Sequence, residues 1–133
     1  MKPGNNKLTL QTAPFFGEYH RVSPILSRVG DKWSIILVML LGNGPMRFNE
    51  IKRSVDGISQ RMLTLTLKGL ERDGMVTRTL FPTIPPRVDY ELTELGRSAR
   101  EPIAVLGHWI QTHLPEIEAA RVKFDLRRDA ARD

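Results

Sequence analysis

Met46-Arg47-Phe48-Asn49-Glu50-Ile51, then Asp56-Gly57-Ile58-Ser59-Gln60-Arg61, then Phe81-Pro82-Thr83-Ile84-Pro85-Pro86-Arg87-Val88-Asp89-Tyr90 form the stretch that decides the fold. Phe48, Ile51 and Val55 mark one face of a short helix. Asp56-Gly57-Ile58 turns the chain. Ser59 is placed to cap a second helix, because its hydroxyl can accept from an otherwise orphaned amide of that helix's first turn. From Gln60 to Asp73 the apolar spacing is helical, and Gly74 stands just past the expected end, where left-handed backbone is common. Two β-rich segments come next, Met75 to Phe81 and Arg87 to Leu92, joined by a loop with Pro82, Pro85 and Pro86. Prolines fix φ and lack an amide donor, so this loop is expected to project instead of pairing.

Helix, turn, helix and hairpin in that order predict a winged helix-turn-helix, mainly α with a small β-hairpin wing, which suits the second helix to a DNA major groove. Steps of about 100° per residue from Arg61 gather Thr64, Leu65, Lys68 and Arg72 in one sector, while Leu63, Leu67 and Leu70 fall opposite. Ser59, Gln60 and Arg61 occupy the first turn, where base-reading side chains are usually presented. Arginine can bond guanine and glutamine adenine through two hydrogen bonds, and Leu65 or the Thr64 methyl can meet a thymine methyl. Lys68 and Arg72 lie further along and suit phosphates. An isolated helix of this kind would read as a solvated surface. The neighbouring short helix and the hairpin favour the DNA-facing role, since a solvated face requires neither.

Three more arginines belong to the candidate set. Arg47 precedes the first motif helix, where it can touch a backbone phosphate or serve as a cap or surface charge. Arg87 opens the second wing strand and can reach a minor groove or a phosphate, or pair with Asp89 or Glu91. Arg78 lies on the other wing strand.

Outward from this stretch, Pro24 to Arg28 suggests a brief first helix with Pro24 at its start. Asp31 is a good N-cap, and the apolar run around Trp33, Ile36, Leu37, Leu40 and Leu41 predicts a helix buried on most sides. Gly42-Asn43-Gly44-Pro45 stops it. Thr93 is the expected N-cap of a long helix with an apolar stripe of Leu95, Ala99, Ile103, Leu106 and Ile110, kinked or interrupted at Pro102. After Leu114-Pro115, residues 116 to 128 suggest one more basic amphipathic helix. The domain outline is an arm (1–20), the winged helix-turn-helix domain (21–114) and a basic tail (115–133).

The 133 residues are 41% apolar, enough for one domain with a single core. Twenty Lys and Arg against 15 Asp and Glu give a formal charge of +5, which favours an anionic partner. The absence of cysteine excludes disulfides, thiolate metal sites and thiol switches. The longest apolar run, Ile35 to Leu41, is far below the roughly 20 residues of a membrane span. The first 20 residues have no signal-peptide core, so a cytoplasmic protein with no membrane partner is expected.

Catalysis is not expected. No nucleophile with a nearby base, carboxylate pair or phosphate loop is legible, and Gly42-Asn43-Gly44-Pro45 lacks the Lys and Ser or Thr that would come next in such a loop. His108 and His113 diverge by about 140° on one helix and His20 stands alone, so no metal or cofactor is expected. Trp33 and Trp109 could flank a pocket for a small-molecule effector, or simply pack in core or interface.

The pieces Gly30-Asp31-Lys32-Trp33, Arg47 to Ile51, Gly57 to Leu63, Leu70 to Gly74, Pro85 to Tyr90 and Leu92 to Gly96 together resemble the HxlR-type winged-helix transcriptional regulators of bacteria and archaea. The resemblance runs from about Ser23 to Gln111 and covers neither terminal segment. It implies a sequence-specific regulator that binds double-stranded DNA as a homodimer, joined through the first helix and the long C-terminal helix. Half-sites of a near-palindrome would then lie about 34–36 Å apart or a multiple of that. Many members carry a redox-sensing cysteine just before the first-helix proline. Here that position is Ser23, before Pro24, so the switch is absent. The alternatives are a small-molecule-responsive regulator and a winged helix used as a protein-interaction module.

Overall fold

The computed structural model describes residues 18–132, in two units that meet in sequence at Ser98 and Ala99. Most of the expected arm lies outside the described residues, and its last two, Tyr19 and His20, begin the first helix. That helix, α1 (Tyr19–Val29), contains Pro24 instead of starting there. The proline gives up the bond its amide would make to the His20 carbonyl, and the helix continues through it. Its true start carries little sequence signal, because the N-cap residue Glu18 makes no side-chain capping bond.

Helix α2 (Lys32–Leu41) starts as expected, with the Asp31 carboxylate accepting from the Ser34 amide at 3.2 Å. Its burial is narrower than its composition suggests. Ser34, Leu37, Val38 and Leu41 are buried, while Trp33, Ile35, Ile36, Met39 and Leu40 are only partly covered. A helix that is apolar all round gives no sign of which face the core takes.

A two-residue strand, β1 (Met46–Arg47), leads into α3 (Phe48–Ser54). The turn buries Val55 and Ile58 and passes through Gly57 at φ 83°, a conformation that favours glycine. Helix α4 (Gln60–Arg72) is capped by Ser59, whose Oγ accepts from the Met62 amide at 3.0 Å. Leu63, Thr66, Leu67, Gly69 and Leu70 form its buried face. The Thr66 hydroxyl on that face donates to the Met62 carbonyl at 2.7 Å, so the polar group is satisfied.

Strands β2 (Val76–Phe81) and β3 (Arg87–Leu92) form the hairpin, in register from Val76↔Leu92 to Phe81↔Arg87. Strand β1 adds to β3 with Met46↔Tyr90 and Arg47↔Asp89, giving the antiparallel order β1-β3-β2. The Pro-rich loop projects as expected, with Ile84 fully exposed at its tip. Val76, Tyr90 and Leu92 are buried with Leu37 and Leu41 of α2, Ile51 of α3 and the leucines of α4 in the first unit's core.

Thr93 caps the next turn and ties it to the start of the hairpin. Its Oγ1 accepts from the Gly96 amide at 3.0 Å and donates to the Gly74 carbonyl at 2.6 Å. The helix it caps is short, α5 (Glu94–Ser98), because the expected long helix is interrupted at Ala99. The ring of Pro102 would meet the Ser98 carbonyl in an unbroken helix, which accounts for the interruption just ahead of it.

The second unit is α6 (Arg100–Arg132), 33 residues long. It runs through Pro115, so residues 116 to 128 belong to this helix and do not form a separate one. No helix among the described residues is long and apolar enough to cross a membrane.

Candidate nucleic-acid interface

The core fixes one face of α4 and leaves the other outward. Gln60, Arg61, Thr64, Leu65, Lys68 and Arg72 are all exposed, as the helical spacing requires once Leu63, Leu67 and Leu70 are buried. Ser59 is exposed too. Its oxygen is engaged in the cap, and its hydroxyl proton remains a donor.

The wing and α3 stand beside this face. Arg47, Arg53, Lys68, Arg78 and Arg87 line one open groove of about 1280 Å³, together with Glu50 and Glu71, Asn49, Thr64 and the Thr83–Pro86 loop. Five cations against two carboxylates make it electropositive. The groove gathers Arg47, Thr64, Lys68, Arg78 and Arg87 of the sequence candidates. Ser59, Gln60, Arg61, Leu65 and Arg72 are not among its lining residues. Arg53 and Asn49 are additions, because the apolar stripe of α3 draws attention to its other face. Their i, i+4 spacing opposite that stripe is the signal that could have found them.

Pairing separates these cations further. Among the described residues, Arg53, Arg61, Lys68, Arg72 and Arg78 have no carboxylate within ion-pair distance. Arg47 lies 3.9 Å from Glu50, whose carboxylate also accepts from the Arg47 amide at 3.2 Å; the Arg47 side chain itself makes no capping hydrogen bond. Arg87 pairs with Asp89 at 3.2 Å, whereas Glu91 pairs with Arg97 at 3.6 Å.

The tryptophans lie in different units. Trp33 is half-buried under the Lys32 ammonium at 4.6 Å. Trp109 stacks on His113 at 4.7 Å and lines a shallow apolar cleft on α6 with Pro102, Val105 and Leu106.

A short helix, a glycine turn, a second helix with an exposed cationic face and a projecting hairpin define the winged helix-turn-helix class. Residues 28–118 match the HxlR-like helix-turn-helix family, and the chain belongs to it, as the sequence resemblance implied. It is 36% identical over 112 residues to the HTH-type transcriptional regulator YtfH of Escherichia coli strain K12, covering 84% of this chain and 89% of that protein. With YdeP of Bacillus subtilis strain 168, another HTH-type transcriptional regulator, it shares 38% over 124 residues, 91% of this chain and 97% of that protein. Among solved structures, the transcriptional regulator ytfH from Salmonella typhimurium is similar at TM-score 0.69 and 35% identity, over 75% of this chain and 89% of that one. The redox regulator HypR in its oxidized form is similar at TM-score 0.62 and 40% identity, over 69% and 95%. The family is one of transcriptional regulators, and the helix-turn-helix implies DNA binding.

Proposed function

We propose that this protein is a cytoplasmic, non-enzymatic transcriptional regulator that binds near-palindromic duplex DNA as a homodimer. One α4 from each protomer enters the major groove. Gln60, Arg61, Thr64 and Leu65 read base edges there, Ser59 donates beside them, and Lys68 and Arg72 hold phosphates. The wing carries Arg87 to the minor groove or the adjoining backbone, and Arg47, Arg53 and Arg78 face phosphates. The observation that carries this proposal is the set of exposed, unpaired cations shared by the outer face of α4 and the wing groove. A protein-interaction module would instead favour an apolar or acidic face on α4.

Self-association is supported by apolar side chains that a single chain leaves in water: Ile25 and Leu26 on α1, and Leu106, Ile110 and Leu114 on α6. Exposed apolar patches of this kind, on α1 and on α6 each taken by itself, mark interfaces.

Two variants test the assignment. Arg61→Ala is expected to weaken binding to a selected duplex by about 1–3 kcal/mol while barely changing binding to random duplex. Lys68→Ala should weaken both and lower the salt dependence by about one phosphate contact, since each contributes a log-log slope near −0.9. Anisotropy titrations over a range of salt read both effects. Equal losses on both duplexes for Arg61→Ala would remove it from base reading.

A further inference from the structure

A carboxylate also adjoins the wing arginine proposed to meet DNA. Asp89 is on the central strand β3, with Arg47 of β1 and Thr79 of β2 as its register partners. Its Oδ1 lies 3.2 Å from Arg87 Nε, and the side chains of Arg87 and Asp89 are 33% and 22% exposed. The approach is that of an ion pair, without the alignment of a hydrogen bond. Arg87 is also held from across the hairpin. Its guanidinium sits 4.2 Å over the ring of Phe81, its register partner. An arginine between a ring face and a carboxylate has lost much of its rotamer freedom before any ligand arrives.

We infer that Asp89 is a positioning residue for DNA binding: it holds Arg87 ready for the wing's contact and so raises affinity, although its own charge repels phosphate. The inference rests on the proposed DNA contact of the wing. Asp89 approaches the guanidinium on its Nε side, and the four N–H donors of the terminal nitrogens remain suited to phosphate oxygens or base-edge acceptors. Without Asp89, Arg87 would keep only the Phe81 contact; more of its ordering would fall to the binding step and come out of the affinity.

Positioning and bare electrostatics have opposite signs here, which makes the test sharp. Asp89→Asn keeps the shape of the side chain and removes its charge, which by simple repulsion should strengthen binding to a polyanion. Positioning predicts the reverse, a loss of about two- to tenfold. The experiment is a double-mutant cycle of Asp89→Asn and Arg87→Ala on the full chain, with duplexes that the wild-type protein recovers from a random pool as probe. The expected result is a loss for Asp89→Asn in the wild-type background and no loss, or a small gain, in the Arg87→Ala background. A gain in both backgrounds, equal losses in both, or no effect of Arg87→Ala alone would overturn the inference. Recovery of no duplex by the wild-type protein, even at low salt, would instead sink the DNA-binding proposal beneath it, and this inference with it.

Discussion

Leu63→Ala is expected to lower the unfolding free energy by about 2–5 kcal/mol, the cost of deleting a buried leucine and leaving part of its cavity behind. Leu63 is 0% exposed and stands in the first turns of α4, where its amide bonds the Ser59 carbonyl at 2.9 Å. Since a small domain has a total stability of about 5–15 kcal/mol, one substitution removes a large share of it. The melting temperature should fall by about 10 °C or more. DNA binding should fall with it at temperatures where the variant unfolds, because the buried leucine and the exposed Arg61 are on opposite faces of one helix. Circular dichroism on heating measures the first effect, and an unchanged melting point would show that α4 is not seated as described.

The second large effect is expected at Gly96, where helix propensity and packing disagree in sign. In an ordinary helix Gly→Ala stabilises by up to about 1 kcal/mol. Here a Cβ would run into the Met75 backbone carbonyl. That peptide cannot easily yield: the Met75 amide donates to the Leu70 carbonyl at 2.9 Å, and its oxygen accepts from the Thr93 amide at 2.9 Å. Gly96→Ala should therefore destabilise by about 3 kcal/mol, at the upper end of overpacking costs. It should also loosen the Thr93 bonds that tie α5 to the start of the hairpin. Denaturant unfolding with an unchanged slope and a lower midpoint would show it; a higher midpoint would mean that propensity wins and that α5 does not lie against Met75.

The parts of the fold legible in the sequence are those written in local chemistry. Ser59, Gly57 and Gly74 each have one strong conformational use, so the turn and the bounds of α4 can be read from them. The hairpin is readable from proline spacing. Other features depend on partners distant in sequence. Strand β1 is two residues long, shows no periodicity and exists only because β3 lies beside it. The start of α1 has no side-chain cap, and Pro24 draws the expected boundary inward through its preference for first turns. Pro115 likewise suggests an end to a helix that continues through it.

The candidate interface divides in the same way. Helical geometry alone separates the outer face of α4 from its core face. Strand alternation puts both Asp89 and Glu91 on the side of Arg87, but Asp89 is about 7 Å along the strand and Glu91 about 13 Å, so spacing already favours Asp89. The structure has that pair, with Glu91 taken up instead by Arg97 of α5, a contact that strand spacing does not contain. The spacing of Asn49 and Arg53 opposite the apolar stripe of α3 marks them as a polar face, but that this face borders the hairpin groove is a relation that no local pattern contains.

The central claim is that the cationic face of α4 and the wing together read duplex DNA as a symmetric pair. Selection of bound duplexes from a random pool by the purified full-length protein tests it most directly. The account predicts enrichment of a near-palindrome whose half-sites lie about one helical turn, 34–36 Å, or a multiple of that apart. A pool with no enriched sequence, or a single asymmetric site with no second half, would contradict it.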